Sequence, residues 1–257
     1  MESTSASTSL NTVSVSLTKL PGVHMARNEP QRLRSTIQAV KELILDQGLK
    51  PGDPMPTKAQ LVDLLDVSRG NLREAVRTLV ALDILEVRHG TGTFVGQMSL
   101  KPLVEGLAFR GVVSPGLDFE ALRQIVEVRS GLDQTLAPSV VERMNAAAAE
   151  ELGQLCDAMA AHSSRDEAFA AEDRAFHLTL ASLLDNELYG DLVGAFWDVH
   201  TRLAPRLGVP TPRDIEDTVA AHRAMLDAAV AKDLDAYRAA IENHYAPLLR
   251  VLESAHA

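Results

Sequence analysis

Several features are scarce in this sequence, and each absence excludes a class of protein. Cys156 is the single cysteine in 257 residues, so an internal disulfide is excluded and a reducing compartment is expected. No apolar run reaches the roughly 20 residues that a membrane-spanning helix needs, and the N-terminus lacks the charged start and apolar core of a secretion signal. We therefore expect a soluble cytoplasmic protein, in which Cys156 is a buried structural thiol rather than a nucleophile.

Positive charge is scarce too, but its distribution along the chain is uneven. The chain has 25 Lys and Arg against 35 Asp and Glu, and its formal charge is −10. Residues 27–97 carry ten basic and nine acidic side chains, whereas residues 98–257 carry fourteen against twenty-five. The first segment can therefore approach an anionic partner such as DNA, while the acidic second segment is expected to stay off it.

The pattern of apolar residues divides the chain into four parts. Residues 1–27, rich in Ser and Thr, predict a disordered tail, and residues 98–117 predict a linker with a short helix at 100–110. Residues 118–257 are helical throughout, with breaks such as Gly208-Val209-Pro210, and predict an all-α antiparallel bundle. The bundle is predicted to have six helices, or seven if the short helix at 100–110 is counted. The six lie at about 118–143, 146–162, 166–185, 187–207, 213–231 and 233–254.

Residues 28–97 carry the signature of a winged helix-turn-helix, that is, three helices and a β-hairpin wing. After a first helix with its apolar stripe at 33–44, Thr57 and Gln60 form a capping box that opens a short helix carrying Leu61, Leu64 and Leu65. Ser68 is placed as the N-cap of a second helix. That helix has an apolar face at helical spacing, made by Leu72, Ala75, Val76, Leu79 and Val80. Ile84–Val87, a Gly-rich turn and Thr93–Val95 then predict the hairpin.

The polar residues that remain on this domain suit DNA. Arginine bonds guanine and asparagine bonds adenine in the major groove, a glycine lets the backbone approach closely, and an Arg one turn further on is placed for phosphate. The alternative interpretation is a solvated helix surface. The candidate DNA-binding residues are Lys58, Ser68, Arg69, Gly70, Asn71, Arg73, Arg77, and His89 and Gly90 at the wing tip.

These motifs resemble the DNA-binding domain of the GntR family of bacterial transcription regulators. The resemblance rests on Val67-Ser68-Arg69, on Leu72-Arg73-Glu74-Ala75-Val76-Arg77, and on Gly90-Thr91-Gly92-Thr93-Phe94-Val95. Family members usually have Ser-Glu-Arg after the proline, and that Arg contacts DNA. Here the residues are Thr57-Lys58-Ala59, so the contact is missing unless Lys58 replaces it.

The bundle contains polar residues where apolar ones are expected. Asp173 and His177 are four residues apart on one helix face, and His222 and His244 interrupt the apolar stripes of the last two helices. A buried Asp is costly unless it is paired or bound to a cation. One such His is usually a satisfied core histidine, but three with an Asp predict a site for a divalent ion, Zn²⁺ first, with Ni²⁺ or Mn²⁺ as alternatives. The other histidines, including His200, are interpreted as surface or packing residues.

The second half resembles the FCD ligand-binding domain of the FadR subfamily. The match is carried by Glu127-Val128-Arg129, by Asp173 to His177, by Ala221 to Leu226, and by His244. In the metal-containing branch of this subfamily the positions of Asp173, His177, His222 and His244 are the metal ligands. The resemblance also implies a homodimer and a small organic acid as effector.

Arg129 lies on an otherwise apolar helix face and needs an anion. That anion is either an internal carboxylate, such as Asp133 or Glu127, or the carboxylate of an effector held jointly with the metal. Arg202 is a second candidate for the same pocket.

We therefore expect a dimeric regulator, a repressor rather than an enzyme, that binds an inverted-repeat operator and responds to a small carboxylate at a metal. The alternatives are a metalloenzyme fused to a DNA-binding domain, a pure metal sensor, and a regulator with a merely structural metal.

Overall fold

The computed structural model describes residues 29–113, 119–165, 167–207 and 215–254. Within them the chain forms ten helices and one two-stranded antiparallel hairpin, so the predicted mainly helical architecture with an N-terminal winged helix-turn-helix is confirmed. The predicted tail at 1–27 and the last part of the predicted linker, 114–117, lie outside the described residues. The elements are α1 (Glu29–Asp46), α2 (Lys58–Leu65), α3 (Arg69–Ala81), β1 (Leu85–Arg88), β2 (Gly92–Val95), α4 (Lys101–Val113), α5 (Glu120–Arg143), α6 (Ala146–Ser163), α7 (Ala170–Ser182), α8 (Glu187–Leu207), α9 (Ile215–Val230) and α10 (Leu234–Ser254).

The described residues fall into two compact units. The first contains residues 29–79 and Val87–Val95, and the second contains Val80–Glu86 and the residues from Gly96 onward. None of the helices in the described part of the chain has both the length and the apolar character needed to cross a membrane.

The helix starts of the first unit follow the predicted capping pattern. The Thr57 hydroxyl accepts a hydrogen bond from the backbone amide of Gln60 at 3.4 Å. The side-chain oxygen of Gln60 accepts one from the backbone amide of Thr57 at 2.9 Å, so the capping box is confirmed. Helix α2 ends at Asp66, which has a left-handed φ of 49°. Ser68 then caps α3 by accepting from the Asn71 amide at 3.1 Å, as predicted.

The burial of α2 and α3 corrects part of the predicted apolar face. Leu72, Ala75, Val76 and Leu79 are buried, but Val80 is 39% exposed. Val80 lies about 80° around the helix from Leu72, since each residue advances about 100°, and the stripe has ended before it. On α2 only Leu61 is buried, and Leu64 is 60% exposed. This helix has only two turns, and only one of its faces packs against the rest of the domain.

The hairpin is the predicted wing. β1 and β2 pair, and the turn between them has Gly90 at φ 76° and a hydrogen bond of 3.0 Å from the Thr91 amide to the Arg88 carbonyl. A left-handed φ of this kind favours glycine. The Arg88 guanidinium carbon lies 4.1 Å from the centre of the Phe94 ring, which joins the two strands through their side chains.

Helices α4–α10 form the second unit, a bundle in which several helices contact a common centre. α10 packs on α9 and α5, α6 packs on α7 and α9, and α8 packs on α4 and α7. The apolar core holds large buried side chains from most of these helices, such as Leu122, Leu152, Phe176, Leu203, Met225 and Ile241. Cys156 belongs to it as well, and burial raises the pKa of its thiol to about 11, so the prediction of a buried structural thiol is confirmed.

The ends of the bundle helices are held by side chains from other segments. Asn145 caps α6 by accepting from the Ala148 amide at 3.1 Å. Lys232, with a left-handed φ of 59°, donates from Nζ to the Val141 and Met144 carbonyls at 2.8 and 2.7 Å. Because these carbonyls have no partner within α5, the ammonium both satisfies them and complements the helix dipole. The junction of α9 and α10 is thereby fixed against the end of α5.

Candidate functional site

Three helices of the bundle bring the four predicted metal ligands together. Asp173 and His177 lie on α7, His222 on α9 and His244 on α10, and one ligand atom from each lies within 4.8 Å of the other three. The three imidazoles are buried, and the side chain of Asp173 is 13% exposed. The stripes that sequence periodicity placed on separate helices therefore meet at one point in the bundle.

Three of the separations between ligand atoms match those of neighbouring ligands around one ion. The Oδ1 atom of Asp173 lies 3.1 Å from Nε2 of His222 and 3.3 Å from Nε2 of His177. Nε2 of His177 lies 3.1 Å from Nε2 of His244. Two ligands at about 2.1 Å from one metal, at tetrahedral or octahedral angles, are about 3.0 to 3.4 Å apart. The donor set therefore fits a small divalent cation.

The hydrogen bonds around the set leave lone pairs directed at its centre. Nδ1 of His222 lies 2.8 Å from the Thr218 carbonyl, which can only accept, so Nδ1 carries the proton and Nε2 is a lone pair when the ring is neutral. That lone pair faces the carboxylate of Asp173. Nδ1 of His177 faces Asp133, with its Oδ2 atom at 3.7 Å, as an outer carboxylate does behind a metal-binding imidazole. A cation at the centre satisfies these lone pairs together.

The electrostatics of the set favour an ionised carboxylate on Asp173 beside a neutral His244 ring. Burial raises the pKa of Asp173, but the charges and hydrogen bonds of His222 and His177 outweigh it and hold that pKa well below its usual range. Burial, reinforced by positive charge on His222 and His177, lowers the pKa of His244 well below its usual value. An ionised Asp and a neutral imidazole are the protonation states that bind metal.

Arg129 is a buried cation whose described neighbours include no anion that pairs with it. Its side chain on α5 is 5% exposed, and its guanidinium carbon lies 4.9 Å from the Trp197 ring centre and 5.6 Å from that of Tyr245. No ion pair or hydrogen bond joins it to a residue in the described ranges. Both internal carboxylates suggested by the sequence have other partners. Glu127 pairs with Arg123, and Asp133 accepts from the Tyr245 hydroxyl at 2.6 Å.

Two small cavities adjoin His177, and one of them reaches Arg129. One of about 20 Å³ is lined by Asp133, His177 and Val193 together with apolar side chains. The second shares these three residues and reaches Arg129 and Tyr245. A volume of 20 Å³ holds about one water molecule. A larger ligand therefore requires the lining side chains to move.

The structure corrects the placement of Arg202 near this site, and it shows where His200 packs. The Arg202 side chain is 45% exposed and forms an ion pair with Glu105 of α4, so the structure does not bring it to the metal set. His200, interpreted as a surface or packing residue, has a buried Nδ1 atom and a ring 6.3 Å from that of Trp197, which is the ring beneath Arg129. His200 therefore belongs to the surroundings of Arg129.

The candidate DNA-binding residues are presented to solvent on the first unit. Lys58 begins α2, Arg69 and Gly70 begin α3, and all three are exposed. Asn71 is half-buried, and His89 is exposed in the wing turn beside Gly90. Ser68 is occupied as the cap of α3, so its hydroxyl orients the start of the helix.

Two of the arginines on α3 share a carboxylate. Arg73 and Arg77 are 65% and 69% exposed, and both contact Glu74, at 3.2 and 3.0 Å. Exposed pairs of this kind contribute little to stability. Both cationic side chains therefore lie beside Glu74 on the exposed surface of α3.

Comparison with known proteins agrees with both halves of the structure. Residues 33–95 match the family of bacterial regulatory proteins named gntR, and residues 124–247 match the FCD domain. A protein of Escherichia coli described as a regulator of the L-lactate dehydrogenase operon is 30% identical over 226 residues, covering 84% of each chain. The chain belongs to the GntR family. Its FCD domain fits the FadR-like subfamily, whose members are transcription regulators and not enzymes, so the expectation of a regulator rather than a metalloenzyme is confirmed.

Further relatives place this GntR regulator among proteins of the same architecture. The galactonate operon transcriptional repressor of E. coli is 24% identical over 186 residues, which cover 72% of this chain and 81% of that protein. The solved structure of a Streptococcus agalactiae GntR protein superimposes with a TM-score of 0.65 at 24% identity, covering 85% of this chain and 99% of the other. That likeness concerns the fold.

Several residues of the GntR regulator's site were not identified as site residues from the sequence. Asp133 was considered only as a partner of Arg129, and Tyr245, Trp197 and His200 were given no role. The spacing of Asp133 four residues after Arg129 places the two on one face of α5, which was a usable signal. Trp197 and His200 are three residues apart on α8, but sequence periodicity alone does not tell which core a helix face meets.

Proposed function

We propose that this protein is a dimeric transcriptional repressor whose affinity for an inverted-repeat operator is controlled by a small organic acid bound at a divalent metal. The observation that carries the proposal is the convergence of Asp173, His177, His222 and His244 beside a buried Arg129 that no described residue neutralises. A repressor of this kind acts in the cytoplasm, where its operator is.

The four side chains would hold the metal. Three imidazole nitrogens and one carboxylate oxygen suit a borderline ion, with Zn²⁺ the first choice and Ni²⁺ or Mn²⁺ the alternatives. Four protein ligands leave coordination positions open when the ion adopts five or six ligands. When bound, the metal supplies a Lewis-acid site for a ligand oxygen.

Arg129 would hold the carboxylate of the acid. A buried guanidinium without an anion is unfavourable, and it presents planar paired donors that match a carboxylate. The Trp197 and Tyr245 rings keep it directed towards the cavity beside His177. Two relatives are named for L-lactate dehydrogenase and galactonate operons, which favours a hydroxylated carboxylate as effector.

The first unit would contact DNA through the start of α3, with Arg69, Gly70, Asn71 and Arg73 at the base edges. Arg77, Lys58 and the wing residues His89 and Gly90 would contact the backbone, and Ser68 would fix the angle of α3. The departure from the family pattern at Thr57-Lys58-Ala59 makes Lys58 the residue that replaces the usual arginine.

A two-fold dimer would match the symmetry of an inverted repeat. The exposed face of α4 offers a surface for it, because Phe109 is 69% exposed and Val112 and Val113 are about half exposed on the same helix. Large apolar side chains grouped in this way mark interaction surfaces. We assign this face to the second copy of the chain.

The test is metal content followed by acid binding. Mass spectrometry of the purified protein is expected to find near-stoichiometric metal, and none in an Asp173→Ala/His222→Ala double variant. Calorimetric titration with L-lactate and D-galactonate should then give binding that is lost on chelation and in Arg129→Gln. Absence of metal from both proteins, even after incubation with Zn²⁺, Ni²⁺ and Mn²⁺, would contradict the proposal and leave a buried hydrogen-bond network.

Two alternatives give different results in the same experiments. A pure metal sensor changes its DNA affinity on chelation alone, and no organic acid has an effect. If the metal is structural, chelation lowers the melting temperature, and the DNA affinity of the folded protein changes neither on chelation nor with an organic acid. The proposed effector has to bind the DNA-competent and DNA-incompetent states with different affinities, since equal binding shifts nothing.

A further inference from the structure

Helix α8 presents one stripe of side chains to the region of the metal set and Arg129. Val193 lines both cavities beside His177, and Trp197, one turn later, packs against the Arg129 guanidinium. His200 follows at the next turn. The spacing i, i+4, i+7 keeps all three residues on one face of the helix.

His200 is the polar member of this stripe, and it lacks a partner. Its Nδ1 atom is buried and has no hydrogen-bond partner among the described residues. Buried polar atoms in folded proteins nearly always have a hydrogen-bond partner, so an atom without one indicates a functional role or a missing ligand. Its ring is tilted by 32° against that of Trp197, with the ring centres 6.3 Å apart, and the Trp197 ring centre lies 6.5 Å from that of His177. Arg129 and Asp173 both exert a charge effect on the ring.

The ring is neutral under ordinary conditions. Burial, and after it the positive charge of Arg129, lower the pKa of His200 to about 4. A neutral imidazole has one donor and one acceptor nitrogen, and it is a weaker partner for a carboxylate than a guanidinium is. It is well matched to a hydroxyl, which both donates and accepts.

We propose that His200 binds a hydroxyl or carbonyl oxygen of the effector through Nδ1, and thereby selects hydroxylated acids over their unsubstituted analogues. This inference rests on the proposed function, in which the metal and Arg129 hold the carboxylate. Val193 and Trp197 then supply the apolar wall along which the rest of the acid lies. A site whose buried polar atom is satisfied only by the correct ligand rejects an analogue that lacks the group.

The test uses three acids with the same three-carbon frame, namely propionate, L-lactate and glycerate. Each is titrated into the full-length, zinc-loaded protein and into three variants, His200→Leu, His200→Asn and His200→Gln. An Asn amide places a polar atom near the position of Nδ1, whereas a Gln amide places one near Nε2. The wild type is expected to prefer a hydroxylated acid over propionate by roughly tenfold or more. In His200→Leu the preference for hydroxylated acids should disappear while propionate binding is retained. The His200→Asn variant should keep more of this preference than His200→Gln does.

Metal content and the melting temperature are measured for every variant. A His200→Leu protein that keeps its metal and its preference for hydroxylated acids overturns the inference while the proposed function stands. Loss of metal or of folding in all three variants also overturns it, because His200 is then a structural residue. If none of a wider set of acids, including D-galactonate, binds the zinc-loaded wild type, the proposed function itself fails and the inference fails with it.

Discussion

At the scale of single residues, the site depends on a carboxylate that is kept ionised in the bundle interior. Asp173 contacts two imidazoles at 3.1 and 3.3 Å, and these outweigh the effect of burial on its pKa. Removing a buried partner of this kind leaves the remaining groups uncompensated, which costs several kcal/mol as an order of magnitude. A variant that removes two ligands at once is therefore a cleaner probe of the metal than either single change.

His200 gives a residue-scale prediction about pH. Its pKa is lowered to about 4 from a reference of 6.5, so the unfolded chain takes up a proton on this side chain before the folded protein does. Stability is therefore lost as the pH falls through this window. Between pH 7 and pH 5 the wild type should lose about 2 kcal/mol more than His200→Leu does.

The measurement is urea denaturation of both proteins at the two pH values, with the same metal loading. The difference between the proteins cancels the contributions of the metal ligands and the other histidines. Equal losses in the two proteins would mean that the pKa of His200 is not lowered in the folded protein.

The sequence alone predicted the positions of the four candidate metal ligands better than those of Arg202 and His200. Asp173, His177, His222 and His244 were found because each interrupts an apolar stripe, and periodicity predicts that such a residue faces inward. The placement of Arg202 and His200 depended on which helix lies opposite, and periodicity carries no information on that. Arg202 meets Glu105 of α4, and His200 meets Trp197 within the bundle.

At the scale of elements, the end of α3 is joined to the start of α4 by a compact set of hydrogen bonds. Asp83, at a left-handed φ of 56°, accepts on Oδ2 from the Ser99 amide at 3.0 Å and from its hydroxyl at 2.6 Å. The Gly96 amide donates to the Ile84 carbonyl at 2.8 Å. The hydrogen bonds to Ser99 lower the pKa of Asp83. These hydrogen bonds lie within the second unit and fix Asp83 and Ile84 against the segment that precedes α4.

Gly96 supplies a prediction for this connection. A Cβ atom at position 96 would lie 2.3 Å from the Asp83 carbonyl oxygen, so Gly96→Ala forces the backbone apart. We expect a loss of about 1 to 3 kcal/mol in the free energy of unfolding. Gly131→Ala on α5 is the matched control, because a Cβ there meets nothing within 4 Å. It should be neutral or mildly stabilising. Equal effects of the two changes would mean that the close contact at Gly96 is not maintained in solution.

The two ends of α3 should differ in their contribution to DNA binding. Arg69→Ala removes a proposed contact at the base edges and should cost about 1 to 3 kcal/mol while relaxing specificity at one base pair. Arg77→Ala removes a proposed phosphate contact, so it should weaken binding to all sequences alike and reduce the salt slope by about one. Fluorescence anisotropy on a duplex selected in vitro and on a scrambled duplex, at several salt concentrations, separates the two. A specificity change in Arg77→Ala and not in Arg69→Ala would reverse the proposed orientation of the helix.

Elements were predicted more accurately in type than in their bounds. Every helix expected in the bundle exists, because its apolar period extends over several turns. α7 nevertheless begins at Ala170, after a predicted start at residue 166, and α4 runs to Val113, three residues beyond the short helix predicted at 100–110. Gly111 on α4 was expected to follow that short helix as part of the linker. It is buried in the helix, and a Cβ there would contact Leu203 at 2.9 Å. Its small size thus serves the packing of α4 on α8, which sequence alone does not distinguish from a break.

At the scale of the whole molecule, charge is separated along the chain. Residues 27–97 have a net charge of +1, and residues 98–257 have a net charge of −11, out of −10 for the chain. An acidic bundle is repelled by DNA, which favours binding through the first unit alone. Family membership followed from motif order in both units, whereas no sequence pattern indicated which helix face is left for a second copy.

The exposed face of α4 predicts the oligomeric state. Phe109→Glu places a charge in the proposed contact between two copies, so the variant should be monomeric by light scattering at concentrations where the wild type is dimeric. Leu64→Glu is the control, since Leu64 is similarly exposed on the first unit and lies outside the proposed interface. Dissociation by Leu64→Glu and not by Phe109→Glu would place the interface on the first unit.

The most direct test of the central claim measures DNA affinity as a function of metal and acid together. The in vitro selected duplex is titrated with zinc-loaded wild type and with the Asp173→Ala/His222→Ala variant, each with and without the acid that binds best. The proposed mechanism predicts that the acid weakens DNA binding by the wild type, roughly 5- to 150-fold, and leaves the variant unaffected. The account is contradicted if the acid changes the DNA affinity of both proteins equally, or if zinc alone produces the whole change.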